Sequence, residues 1–596
     1  MAAQRLRAEP TSVARDEQPS ALSTGRKVSI LVGVMLGMLL AALDQTIVGT
    51  AMPRVIADLN GLQHYAWVFT GYMLAATVTV PIYGKLSDLY GRRLFFIGGM
   101  VLFLLGSALS GTSQSMTQLI LFRGVQGLGA GAMMPIAQAI IGDIFLPAER
   151  ARWQGAMMAV FGLASIIGPA LGGFITDNWG WRWVFYVNMP VGAAAIMAAG
   201  IVLPAHSRHR QHVVDYLGVA TLVAAAVPML LAFSWAGSTY PWASAQVIGL
   251  LAFALVAGIA FFATELRATE PIINPGLFQN RIFTISVIAT FLVSGGMFGA
   301  ILYLPLFVQA VVGISATGAG AVLTPLMIGF IVSSIVGGQV LAGTGRYKVP
   351  ALVGFVVAAA GMVLLSRMSA ATTPGEVVRN MIVVGLGIGV MMSLFTIVVQ
   401  NAFPLSRMGE VTASLQFFRS IGATISVAIL GTLMINRFHD AFTRYLPETL
   451  KQAVPADRLA ALQNPQVLLA PQATAQIQQG FAALGPQGQA LFTQLMGAIR
   501  NSLAEAITGL FVAGVGAMVL GFVVTLFLPE IPLRKRRRVA PAVEGAEGLE
   551  PVSEGGLLEE VMADLADGGE ELVPVDGVAA GAETAARADG VPPRRR

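Results

Sequence analysis

Asp44 is the residue most worth explaining, because it interrupts the long apolar run 28–49. On insertion scales a carboxylate in the middle of a membrane span costs about 2.5–3.5 kcal/mol, so it persists by facing a cavity or a partner. Arg123, inside the apolar run 117–142, is the partner that depth suggests. The two runs cross in opposite directions. Asp44 lies about five residues from the end of its run and Arg123 about six from the matching end of its own, so a rise of about 1.5 Å per residue sets them level. A carboxylate whose exposure changes there could take up and release a proton. The plainer alternative is a static salt bridge pinning two helices together.

Three further groups could do chemistry or set geometry. Asp88 and Arg92 fall in a tight segment with Gly84 and Gly91, where a carboxylate can meet a helix N-terminus while the Arg holds it; anchoring by the basic residues alone explains Lys85, Arg92 and Arg93 but not Asp88. Gly168, Pro169, Gly172 and Gly173 remove bulk and one backbone donor, which allows a kink and close helix packing. Gln126, Met133, Met134, Met391, Met392 and Phe395 are candidates for an adaptable apolar cavity with few polar handles, although most Met and Phe in such a chain face lipid. Arg419 and Glu505 are further charges within or beside apolar runs, free to face a cavity or to snorkel. His206, His209 and His212 recur among Arg208 and Arg210, a spacing that fits a solvated basic loop better than a metal site. No metal site is expected. With zero Cys, no phosphate-cradling loop and no hydrolase motif, nucleotide drive and hydrolytic chemistry lack support.

The elements that must carry these residues are membrane helices. Of the 596 residues 55% are apolar and 12% charged, against about 25% charged in an average soluble domain. Nothing ionisable lies between Asp215 and Glu265 or between Arg281 and Arg346, so each stretch must cross a bilayer more than once. Cutting at charges and turn residues gives fourteen spans: 28–49, 65–83, 94–110, 117–142, 154–176, 184–203, 216–235, 245–264, 282–311, 316–341, 349–366, 377–401, 411–436 and 503–528. Loops rich in Arg and Lys alternate with poor ones, which places both termini in the cytoplasm by the positive-inside rule. The formal net charge of +5 reflects that flanking, not nucleic-acid binding. Residues 1–27 form a cytoplasmic leader, with no cleavable signal. Residues 437–502 form a long outside loop with a helix-compatible stretch that puts Leu491, Leu495 and Ile499 on one face. Residues 529–596, rich in Gly, Ala, Glu and Pro after the basic run Arg534 to Arg538, read as a disordered cytoplasmic tail.

An internal echo implies two related halves. Gly84, Gly91 and Arg92 after the second span have counterparts of equal spacing in Gly338, Gly345 and Arg346 after the tenth. The halves are then a six-helix bundle over 28–203 and a second over 282–528, with 204–281 an inserted two-helix hairpin.

At these residues the chain resembles the major facilitator superfamily and, within it, the fourteen-helix drug:proton antiporters of the EmrB/QacA type. The first-helix stretch Leu43 to Val48 with Ala51, Met52 and Pro53 carries the resemblance, as do the loop 84–93 and Arg123, Gly124, Gln126, Gly127 and Gly129 on the fourth span. Gly168 to Gly173, followed by Trp181, Arg182, Trp183, Phe185, Asn188 and Pro190, continue it. The resemblance implies an all-α major facilitator fold and secondary transport without a cofactor, driven by the proton gradient. It further implies proton coupling at Asp44 and Arg123, a cytoplasmic gate at Gly84, Asp88, Gly91 and Arg92 closing on the start of span thirteen, and a pathway seal at Gly168, Pro169, Gly172 and Gly173. Gly49 stands where the family usually has Asn, which implies a missing polar partner near Asp44; the second echo lacks an acid matching Asp88. The expected activity is antiport of protons against amphipathic, often cationic compounds at the inner membrane. A lipid or envelope precursor is the alternative cargo, and a polytopic lipid-modifying enzyme is the alternative of another class, for which no acidic or His cluster at a membrane face is apparent. The 437–502 loop could receive a periplasmic adaptor or lipoprotein.

Overall fold

The computed structural model describes residues 23–531 apart from 60–64, 146, 205–213, 238, 314–315, 449, 451–470 and 483–485. The leader through residue 22, the tail from residue 532 with its basic run, and the triplet His206, His209 and His212 lie outside the described residues.

The first half comprises α1 (Thr24–Leu59), α2 (Tyr65–Tyr90), α3 (Arg92–Gly111), α4 (Met116–Ile144), α5 (Pro147–Trp179), the single turn α6 (Trp183–Tyr186) and α7 (Asn188–Val202). The hairpin is α8 (Tyr216–Trp235) and α9 (Ala245–Glu265). The second half comprises α10 (Arg281–Phe307), α11 (Ala316–Thr344), α12 (Lys348–Ser366), α13 (Pro374–Ala402), α14 (Met408–Tyr445), α15 (Pro471–Ala482) and α16 (Pro486–Leu526). Each of the fourteen expected spans coincides with helix, and among the described residues twelve helical segments are long and apolar enough to cross a membrane. Of the remaining two, α2 carries Lys85 and Asp88 near one end and falls short, while the side chains of α5 are described only in part. Across the halves α2 packs against α14 and α5 against α11, while Gly168 and Gly172 of α5 face α1 in their own half.

Within the first half, α1 packs on α5 and α7, and α4 on α2 and α3. Within the second, α13 lies on α11 and α12, and α10 on α14 and α16. The cores are aromatic and aliphatic, with Phe96, Met100 and Phe103 in one and Phe355, Met362 and Phe395 in the other, all fully buried. The hairpin packs mainly on itself and leans on α2 and α14. Its outer face leaves Phe253, Leu255, Val256, Ile259 and Phe262 exposed, a surface only lipid can cover at low cost.

Three local readings change. Residues 84–90 are not loop but the last turns of α2; the chain reverses at Gly91 alone, whose φ of 102° no other residue type adopts cheaply. The expected span 184–203 is broken at Val187 into α6 and α7, just before Asn188 and Pro190. The flanking helices extend into the expected loop 437–502: α14 continues to Tyr445 and α16 begins at Pro486, and Leu495 and Ile499 are buried on the predicted face.

Candidate functional site

Asp44, on α1, is fully enclosed, with a side-chain exposure of 0%. Its Oδ2 accepts from Arg123 Nη1 at 2.6 Å, and its Oδ1 accepts from Gln126 Nε2 and from Asn188 Nδ2, each at 2.9 Å. Arg123 Nη1 also donates to Gln126 Oε1 at 2.7 Å, and its guanidinium carbon lies 4.2 Å from the Tyr72 ring centre. Asn188 Nδ2 further donates to Ser107 Oγ at 3.0 Å, which in turn donates to the Phe185 carbonyl at 2.8 Å. A buried carboxylate needs every lone pair answered, and here one cation and two amides answer it from α4 and α7. The network keeps two open valences: Arg123 Nε and Asn188 Oδ1 have no hydrogen-bond partner among the described residues. Such a half-spare set can rearrange when the charge on Asp44 changes.

The expected pairing of Asp44 with Arg123 is thus present as a direct contact, and Gln126, read from sequence as a cavity handle, belongs to it. Asn188, Ser107 and Tyr72 join it as partners that the spacing along the chain does not single out. Position 49 does not leave the gap expected of it: Gly49 is exposed, a Cβ there would meet nothing within 4 Å, and Asn188 supplies the amide.

The second cluster lies where α2 meets the start of α14. Asp88 Oδ1 accepts from Gly409 N at 3.0 Å and Oδ2 from Glu410 N at 2.6 Å, so the carboxylate sits on the first, otherwise unpaired N–H groups of α14. Arg92 pairs with the same carboxylate and donates to Ser87 Oγ at 2.8 Å and Asp143 Oδ2 at 3.0 Å. Burial pushes the Asp88 carboxyl up to about 6, with Arg92 and the Glu410 N–H pulling the other way. The glycines make the contact possible: a Cβ on Gly84 would lie 2.9 Å from the Gly409 carbonyl, with Ala413 closer still.

The third cluster packs α5 on α1. A Cβ on Gly168 would come within 2.7 Å of Thr46 Cβ, and one on Gly172 within 2.8 Å of the Ile47 carbonyl. Thr46 Oγ1 donates to the Ala164 carbonyl at 3.0 Å across the same seam. Gly173 meets nothing within 4 Å, and the Pro169 side chain lies outside the described residues.

The apolar candidates divide. Met134 accepts from Gln416 Nε2 across the two halves, and Met392 from Arg419 Nη1, each at 3.8 Å. Met133 packs in the first core with Phe103, Met391 against Gly354 on α12, and Phe395 against Phe355 with ring centres 6.2 Å apart. Glu505 pairs with Arg444 at 2.6 Å, with both side chains partly or largely exposed.

A polytopic helical chain of two bundles with a buried ion-pair network defines a membrane transporter rather than an enzyme. Residues 34–427 match the Major Facilitator Superfamily, and the chain belongs to that family. It is 39% identical over 523 residues to the multidrug transporter MdtP of Bacillus subtilis, covering 86% of this chain and 95% of that one. It is 41% identical over 418 residues to multidrug resistance protein 3 of the same organism, covering 70% of this chain and 81% of the relative. Its fold is similar to the crystal structure of the human organic anion transporter MFSD10, with a TM-score of 0.53 and 14% identity over 84% of this chain and 99% of the other.

Proposed function

We propose that this transporter is a proton-coupled antiporter that exports amphipathic, often cationic compounds, with the Asp88 end facing the cytoplasm at the inner membrane. The reading rests above all on one observation: an ionisable carboxylate held at 0% side-chain exposure by Arg123, Gln126 and Asn188, between helices of one bundle. Protonating Asp44 removes the charge that holds Arg123, and the two unanswered valences then have reason to find new partners. The names of the two Bacillus relatives support a drug cargo. Asp88 seated on the start of α14 supports the role of a latch that closes the cytoplasmic side, and Gly168 and Gly172 support that of a tight seam between α1 and α5.

The test is transport in proteoliposomes under an imposed pH gradient. Asp44→Asn keeps the shape and two hydrogen-bonding atoms of the acid but cannot release a proton. Cargo accumulation should disappear while passive exchange of cargo persists. Undiminished accumulation by the purified variant would refute the coupling role.

A further inference from the structure

Arg419 is a buried charge that no carboxylate among the described residues answers. It lies about eleven residues past the start of α14, so a rise of about 1.5 Å per residue puts it about 16 Å along, near the middle of a hydrocarbon core about 30 Å thick. Its exposure is 8%, and its one hydrogen bond among the described residues runs from Nη1 to the Met392 sulfur at 3.8 Å, a weak acceptor. The acids that could reach toward it are spent elsewhere. Glu410 on the same helix is held by Arg407 at 3.0 and 3.2 Å, and Asp44 in the other half by Arg123, Gln126 and Asn188. The Nε and Nη2 groups of Arg419 donate to nothing among the described residues, yet unlike Arg123 Nε they are not sealed from accessible space.

Arg419 also ends a polar row along the contact between the halves. One turn nearer the start of α14, Gln416 Nε2 reaches the Met134 sulfur of α4 at 3.8 Å. Nearer still, Gln400 of α13 donates to the Gln138 carbonyl of α4 at 3.3 Å. Each of these buried amides keeps an atom without a partner: Gln416 Oε1, Gln400 Oε1 and Gln138 Nε2. Polar groups left short in this way mark a place that something outside the chain completes.

A guanidinium cannot shed its proton, so burial cannot neutralise Arg419 and only an anion can answer it. A single cation balances a single negative charge, which a doubly charged phosphate would exceed. Lipid head groups stay at the membrane surface, far from this depth. We propose that Arg419 binds the carboxylate of an amphipathic monoanion, with Gln416 beside it and the apolar part of the ligand against Met134 and Met392. The proposal rests on the reading of the chain as an exporter and adds acids to its cargo. Binding needs no gradient, so a failure of proton coupling at Asp44 would leave it standing.

The test uses the full chain in phosphatidylcholine nanodiscs without a gradient. The probe is benzoate carrying a para-trifluoromethyldiazirine, and labelled peptides are mapped after digestion. Label is expected on the peptides carrying Met392 and Gln416, displaced by para-tert-butylbenzoate but not by the matching neutral amide or benzylammonium. Arg419→Gln should lower that labelling about tenfold or more, whereas Arg419→Lys should keep the preference for benzoate over the amide. Because Arg419→Gln removes an unanswered charge, its unfolding temperature without ligand should equal or exceed that of wild type. In wild type para-tert-butylbenzoate should raise that temperature, and in Arg419→Gln it should not. Undiminished labelling of Arg419→Gln, equal displacement by acid and amide, label confined to other peptides, or a lower unfolding temperature for the variant would overturn the proposal.

Discussion

At the scale of single residues, the most consequential contact joins atoms 144 positions apart, Asn188 Nδ2 and Asp44 Oδ1. Removing a donor from a buried carboxylate costs about 1–3 kcal/mol, because the oxygen then keeps its desolvation penalty with nothing in return. Asn188→Leu should therefore lower the thermal unfolding temperature and cut gradient-driven transport. Gly49→Asn should do neither, since position 49 is exposed and open. Thermal melts and uptake on the two purified variants measure this; equal effects would mean that Asn188 is not a working partner of Asp44. The ion pair itself was legible in the sequence, because a charge in a span is expensive enough to demand a partner and depth along opposed helices restricts the choice. Asn188 was not legible as a partner. An amide is cheap enough to sit in many places, and nothing local says that α7 turns it toward α1.

At the scale of elements, the crossing of α2 and α14 combines two effects of different size. The attraction of Asp88 for the N-terminus of α14 is worth about 0.3–1 kcal/mol, or up to about 2 when partly buried. Steric exclusion at Gly84 is far less yielding, since a side chain there overlaps the backbone of the facing helix. Spin labels at Lys85 and Ser406 should therefore report a partial shift toward separated helices for Asp88→Asn and a nearly complete one for Gly84→Val. An identical distance distribution in wild type and Gly84→Val would show that this crossing does not set the closed state. The glycine and acid spacing in the sequence pointed to such a contact. Its geometry was harder to read, because apolar patterning in membrane helices is nearly uniform around the axis and gives no face: α2 continuing helically to Tyr90, the break at Val187 and the extension of α14 to Tyr445 all depend on neighbours.

At the scale of the whole molecule, the two halves are alike in backbone and unlike in charge. Gly91 and Gly345 both take a positive φ, 102° and 69°, just after α2 and α11, at the positions the sequence echo pairs, although α3 resumes at Arg92 and α12 only at Lys348. Only the first is joined by an acid that reaches across to the other half. In the second, Tyr347 instead accepts from Ile531 N at 2.7 Å and donates to the Pro529 carbonyl at 2.6 Å, binding the end of the last helix to its own bundle. Contact between the halves is then asymmetric, with a charged contact between α2 and α14 and packing between α5 and α11. The basic residues that cluster here are the reason to expect this end in the cytoplasm, because cytoplasmic loops retain Arg and Lys. Exposed Ser406 lies beside Arg407 at the start of α14, and exposed Thr493 lies on the far extension of α16, where Arg500 donates to the Ala370 carbonyl at 3.1 Å. In this Cys-free chain, Ser406→Cys should resist a membrane-impermeant maleimide in intact cells and react once the cells are opened, whereas Thr493→Cys should react in both. The reverse pattern would invert the orientation, and with it the side from which cargo reaches the Asp44 network.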